Sequence, residues 1–152
     1  MNPDPKLGRA WLLLCVAFGA HIADEALTGF LSVYNPTVMA FRARMPWLPL
    51  PTFRSQEFLV GMISVTLLAA ALSPLFFRGV RWARPLAYFF AWVNIVNALG
   101  HTLGTILGHT VASVQFSRPA PGFYSSPFLF LASLYVVVCL RRTARMSAAQ
   151  AA

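Results

Sequence analysis

The chain has 152 residues, of which 58% are hydrophobic and only 11% charged, with a net charge of +8. A soluble domain carries about 25% charged residues, so this chain has too few to cover a water-facing surface. Disorder, a secreted disulfide scaffold and an ordinary cytosolic enzyme are excluded, and an integral membrane protein is expected.

The first apolar segment runs from about residue 8 to 34 and follows a basic start at Lys6 and Arg9. Trp11 to Phe18 followed by Gly19-Ala20 has the outline of a signal peptide. The apolar run continues through Ala26, Leu27 and Phe30, so a full span is the better reading. The connection from Asn35 to Arg54 is the longest, with prolines, arginines and Phe41, Trp47 and Phe53; it reads as an interfacial loop, with a lid folded over the bundle as the alternative. Further apolar segments cover about 57–77, 85–114 and 123–140. Each reaches the roughly 18–20 residues that cross a bilayer as a helix, and none alternates as a barrel strand would. The expected fold is all-α: a single membrane domain forming an integral membrane four-helix bundle.

Orientation follows from the basic residues. Four spans put both termini on one side, with Lys6, Arg9, Arg78, Arg81, Arg84, Arg141, Arg142 and Arg145. Arg42, Arg44, Arg54 and Arg118 fall on the other. That bias predicts cytoplasmic termini and explains the net charge without nucleic acid; the Arg and Ala bias of the composition hints at a GC-rich bacterial genome, hence a bacterial inner membrane. Trp11, Trp47 and Trp82 fall where an interfacial aromatic belt is expected. Cys15 and Cys139 lie in apolar runs and read as small buried hydrophobes. There is no Cys-x-x-Cys motif, nucleotide-binding glycine loop or nucleophile elbow, so disulfide, nucleotide and serine chemistry are not suggested.

The polar residues inside the spans carry the functional signal. His21, Asp24 and Glu25 stand at i, i+3 and i+4 and share one helix face. At 1.5 Å per residue from Arg9, His21 lies roughly 18 Å along the helix, about mid-bilayer. An acid there costs on the order of 2.5–3.5 kcal/mol and demands partners. The third span offers Asn94, Asn97 and His101 on one face, with Asn97 at a similar depth, then Thr105 and His109. Turning the two faces together hides both from lipid. Gly100, Gly104 and Gly108 repeat every four residues and predict a close helix seam, suited to a homo-oligomer. Asn94 reads as packing, Glu57 as a cap on the second span, and Arg42 and Arg118 as interface residues.

The stretch His21-Ile22-Ala23-Asp24-Glu25 resembles the HXXEE-motif family of small multi-span bacterial membrane proteins. Asn97-Ala98-Leu99-Gly100-His101 is similar to that family's N-x-x-G-H stretch, and Pro121-Gly122 to its proline-glycine element. The likeness covers about Trp11 to Leu140, with Asp24 where the family has its first Glu. It implies a four- or five-span helical fold and a polar site at these positions, without an established activity. A looser analogy is to sterol-isomerase-type membrane proteins, which also place His and Glu at helical spacing.

Three functions are open on these residues. One is an enzyme acting on a lipophilic substrate, with His21, Asp24, Glu25 and His101 as catalytic candidates. In it, His21, Glu25 and His101 bind a divalent metal such as zinc or iron, with Asn97 orienting a histidine. Without metal, a carboxyl and a histidine exchange protons with the substrate. The second is a small transporter or proton relay. The third is a non-catalytic membrane subunit, in which the same polar pair only fixes helix packing.

Overall fold

The computed structural model describes residues 3–149, the side chains of 144–149 excepted. Six helices follow in chain order: α1 (Pro5–Leu27), α2 (Leu31–Arg44), α3 (Ser55–Ala71), α4 (Ser73–Phe77), α5 (Arg84–Leu107) and α6 (Ser126–Ala149). A short 3-10 turn at Arg81–Ala83 leads into α5. No strand occurs among the described residues; His109 and Gln115 form an isolated bridge. Four stretches are long and apolar enough to cross a membrane: Pro5–Leu27, Ser55–Phe77, Arg81–Leu107 and Ser126–Thr143.

Two of these spans are shorter than the apolar runs. The first stops at Leu27 because Thr28 turns its hydroxyl back onto the Asp24 carbonyl at 2.6 Å and Gly29 takes a φ of +78°, where only glycine is unstrained. The chain then restarts as α2 through Asn35 to Arg44, residues expected to form loop. Pro36 sits inside α2 and removes one helical hydrogen bond, yet fourteen residues stay helical. The third span stops at Leu107, where Gly108 (φ +76°) caps α5 and the Arg118 guanidinium donates to the Leu107 carbonyl at 2.9 Å. Residues 109–121 therefore leave the helix and fold back along α5. The second span is α3 and α4 in series, with Pro74 at the start of α4 making the break at Leu72.

α1 is the central element and packs on α3, α4 and α6, while α5 packs on α6. Asp4 ties one end together. Its Oδ1 accepts from the Leu7 amide at 3.0 Å as an N-cap, and its Oδ2 accepts from the Thr143 hydroxyl at 2.8 Å. Its amide donates to the Phe77 carbonyl at 2.9 Å. The start of α1 thus meets the end of α4 and the far part of α6. Glu57 caps α3 as expected, accepting from the Arg54 amide at 2.9 Å.

Close approach rests on alanines. Ala10, Ala17, Ala83, Ala87, Ala91, Ala98 and Ala132 are all buried, and such small residues let membrane helices touch backbone to backbone. Trp11 is not an interfacial residue. It is 1% exposed, 4.2 Å from Phe76 ring to ring, and its indole N–H donates to the Ala69 carbonyl at 2.8 Å. The break at Leu72 leaves carbonyls near the end of α3 in need of donors, and Trp11 supplies one. Trp47 and Trp82 are exposed. Outside, Val60, Ile63, Leu67, Leu68, Val96, Leu103 and Leu131 are exposed, so the bundle is apolar on its surface as well as in its core. Cys15 and Cys139 are buried free thiols.

Candidate metal and polar centre

The two polar faces meet. α1 and α5 come together through side chains: Asn97 Nδ2 lies 3.0 Å from His21 Nε2, and His101 Nε2 lies 3.1 Å from Glu25 Oε1. His21 Nε2 is 3.4 Å from the same Glu25 oxygen, the i, i+4 contact within α1. His21 and His101 stand edge to face with ring centres 4.9 Å apart. His21 is fully buried, Glu25 3% exposed and His101 8% exposed. Glu25 is therefore held between two imidazoles in the buried centre of the bundle.

Asp24 takes a different direction. Its Oδ2 accepts from both the amide and the hydroxyl of Ser125, each at 2.8 Å, at the start of α6. Ser125 Oγ is in turn 2.8 Å from His21 Nδ1. So Asp24 reaches the centre only through Ser125. The residue holding the far nitrogen of His21 is Ser125, whereas Asn97 contacts the nitrogen that faces Glu25.

The segment 120–125 closes over the cluster. Thr28 Oγ accepts from the Gly122 amide at 3.0 Å, and Thr105 Oγ accepts from the Ala120 amide at 2.9 Å while donating to the His101 carbonyl at 2.8 Å. Gly122 has φ +80°, and a Cβ there would lie 2.9 Å from Glu25 Cγ, 3.0 Å from His101 Cε1 and 3.1 Å from His21 Cε1. Only glycine fits over the site. Ser125 and Thr28 escaped sequence reasoning, because a serine before an apolar run reads as a helix start and a threonine near a helix end as a local cap.

Two cavities reach the centre from different sides. A groove of about 420 Å³ runs along α5 past Val96, Gly100, Leu103 and Gly104 and ends at Asn97 and His101. Its walls are mainly apolar, with Phe30, Val33 and Tyr34 opposite. A smaller pocket of about 200 Å³ reaches Glu25 between Ser32, Ser55 and Phe58. Phe30 lines both. Tyr34 donates to the Pro51 carbonyl at 3.1 Å, and burial pushes its phenol up despite the opposing Arg42 charge.

The glycine repeat shapes the groove rather than a helix seam within the chain. Gly100 has open space around its α-carbon, Gly104 faces Phe116 and Ala120 at 3.3 and 3.7 Å, and Gly108 is the cap of α5. Asn94 is buried and donates to the Phe90 carbonyl of its own helix at 2.9 Å. His109 lies beyond α5 and contacts the Thr110 carbonyl at 2.9 Å through Nδ1.

His21, Glu25 and His101 form a group that could hold a metal ion, each offering one ligand atom, with these atoms all within 4.8 Å of one another. The donor set suits zinc or iron. Two ligands of a tetrahedral ion with bonds of about 2.0–2.1 Å stand about 3.3 Å apart, close to the 3.1 and 3.4 Å that separate Glu25 Oε1 from the two histidine nitrogens. Comparison with protein families, with curated proteins and with solved structures gives no match for this chain.

Proposed function

We propose that this chain is a multi-pass membrane enzyme acting on a lipophilic substrate by metal-assisted chemistry at His21, Glu25 and His101. The observation that carries the reading is the apolar groove along α5 that ends on His101 and Asn97. A polar centre built only to pin helices together needs no such approach from the lipid-facing side. A pocket of a few hundred Å³ with apolar walls and a few convergent polar groups is the usual form of a small-molecule site.

In this reading the substrate's apolar body lies against Val96, Gly100, Leu103 and Phe30, and its polar end meets Asn97 and His101. A bound divalent ion would polarise a substrate oxygen or lower the pKa of a water. Glu25 holds the two histidines together, and Gly122 lets the loop seal the centre from the far side. A second, metal-free reading is favoured by the direct 3.1 Å contact of Glu25 with His101, a carboxyl–imidazole pair suited to proton transfer on an unsaturated lipid. Cytoplasmic termini in a bacterial inner membrane, supported by the eight-to-four basic bias, and membership of the HXXEE-motif family belong to the same proposal.

The test compares membrane lipids from cells carrying wild type with those carrying His101→Ala or Glu25→Gln at equal membrane levels, by mass spectrometry. A lipophilic species made or consumed only with wild type is the expected result. Identical lipid profiles overturn the reading; proton flux in liposomes would then mark a relay, and a stable co-purifying protein a non-catalytic subunit.

A further inference from the structure

We propose that Ser125 and Asp24 form a positioning couple that fixes His21 as the Nδ1–H tautomer and makes its Nε2 a ligand for a zinc-class divalent ion shared with Glu25 and His101. This rests on the metal-assisted reading above and names what sets up the site. The argument is one of donors and acceptors. An Asp24 carboxylate has only acceptor sites, and its Oδ2 stands 2.8 Å from both Ser125 N and Ser125 Oγ. The single hydroxyl proton of Ser125 has two oxygen acceptors, Asp24 Oδ2 at 2.8 Å and the Gly122 carbonyl at 3.3 Å, and the shorter, charge-assisted bond to Asp24 takes it. Ser125 Oγ then meets His21 Nδ1, 2.8 Å away, with a lone pair, and Nδ1 must carry the proton. A neutral imidazole with hydrogen on Nδ1 has its lone pair on Nε2.

The other side of the ring leads to the same tautomer. Asn97 Nδ2 is 3.0 Å from His21 Nε2, a donor facing an acceptor. Glu25 Oε1 is 3.4 Å from that nitrogen. That single lone pair faces either the Asn97 amide or, with a cation between, the Glu25 carboxylate, so a bound ion would take it from Asn97. A ligating histidine whose second nitrogen donates to an oxygen partner backed by a carboxylate is a recurrent feature of zinc sites. Here a serine hydroxyl is interposed between the imidazole and the carboxylate. The couple is also built across the fold: Asp24 and His21 stand on α1, while Ser125 precedes α6. Folding of the last span thus completes the ligand.

Chelator-stripped protein in detergent, titrated with zinc against a chromophoric chelator and with cobalt(II) by visible absorption, tests this. Wild type should take up stoichiometric zinc and give tetrahedral cobalt bands. Ser125→Ala should bind zinc about 10–100-fold more weakly with altered cobalt bands, and Ser125→Thr should restore both. Asp24→Asn keeps the shape and gives the same test should Ser125→Ala not fold; its affinity should fall between the two. Wild-type affinity and an unchanged cobalt spectrum in both Ser125→Ala and Asp24→Asn overturn the couple and leave the metal site standing. Wild type without zinc or cobalt binding overturns the couple and the metal-assisted chemistry together, while the lipid comparison still judges the enzyme.

Discussion

Asn97 and Ser125 touch the two nitrogens of one imidazole, at 3.0 and 2.8 Å, and their removal should have different consequences. Ser125 supports the metal-ready tautomer, whereas the Asn97 amide competes for the lone pair itself. Asn97→Ala should therefore leave zinc affinity unchanged or raise it, measured by the same chelator competition. Gly122→Ala should be far worse than an added methyl suggests. The left-handed backbone costs about 1–2 kcal/mol for any L-residue, and the methyl would push on Glu25 and both histidines. A lower melting temperature in detergent together with weakened zinc binding is the expected outcome. At this scale the sequence was informative for groups whose cost demanded partners. His21, Glu25, Asn97 and His101 were legible because ionisable and amide groups at one depth on two helices must find each other. Ser125 was not, since serine is cheap anywhere and its role depends on where a loop returns. Asp24 shares a helix face with the pair, yet a small rotation along that face delivers it to Ser125 instead.

Among the elements, α2 departs most from expectation. Its residues are neither strongly apolar nor periodic, and Pro36 argues against a helix, so the segment reads as loop. Tertiary clamps hold it. Asn35 donates to the Phe53 carbonyl at 2.9 Å and accepts from the Phe53 amide at 3.0 Å, and Tyr34 stacks on Phe53. Arg42 donates to the Leu50 carbonyl. Asn35→Ala removes both arms of the Phe53 clamp and should speed proteolysis within residues 45–53, read by limited digestion, without altering zinc content. The ends of the first and third spans were equally hard to place, because Gly29 and Gly108 are ordinary apolar-run residues until their φ is known. Trp11 shows the limit of a positional rule. An indole near a helix end belongs at the interface unless a carbonyl inside the bundle claims its N–H, and Ala69 does.

On the scale of the molecule, four helices long and apolar enough to cross a membrane were legible from composition and run length alone. Asp4, Phe77 and Thr143 meet at one end, with Arg78 and Arg81 close by in sequence. With that end cytoplasmic, Thr52→Cys should react with an impermeant thiol reagent on intact spheroplasts and Arg78→Cys only after permeabilisation; both positions are exposed, and the native thiols are buried. The reverse pattern would invert the orientation. Phe30 is the common wall of the groove that ends at His101 and the pocket that reaches Glu25. The centre is therefore reached by an apolar groove on one flank and by a pocket ending at Glu25 on the other, with one aromatic ring as the partition. A reaction that consumes or releases water could draw it from the Glu25 flank while the lipid tail never leaves its own phase, and trimming Phe30 to alanine would merge the two flanks and wet the groove.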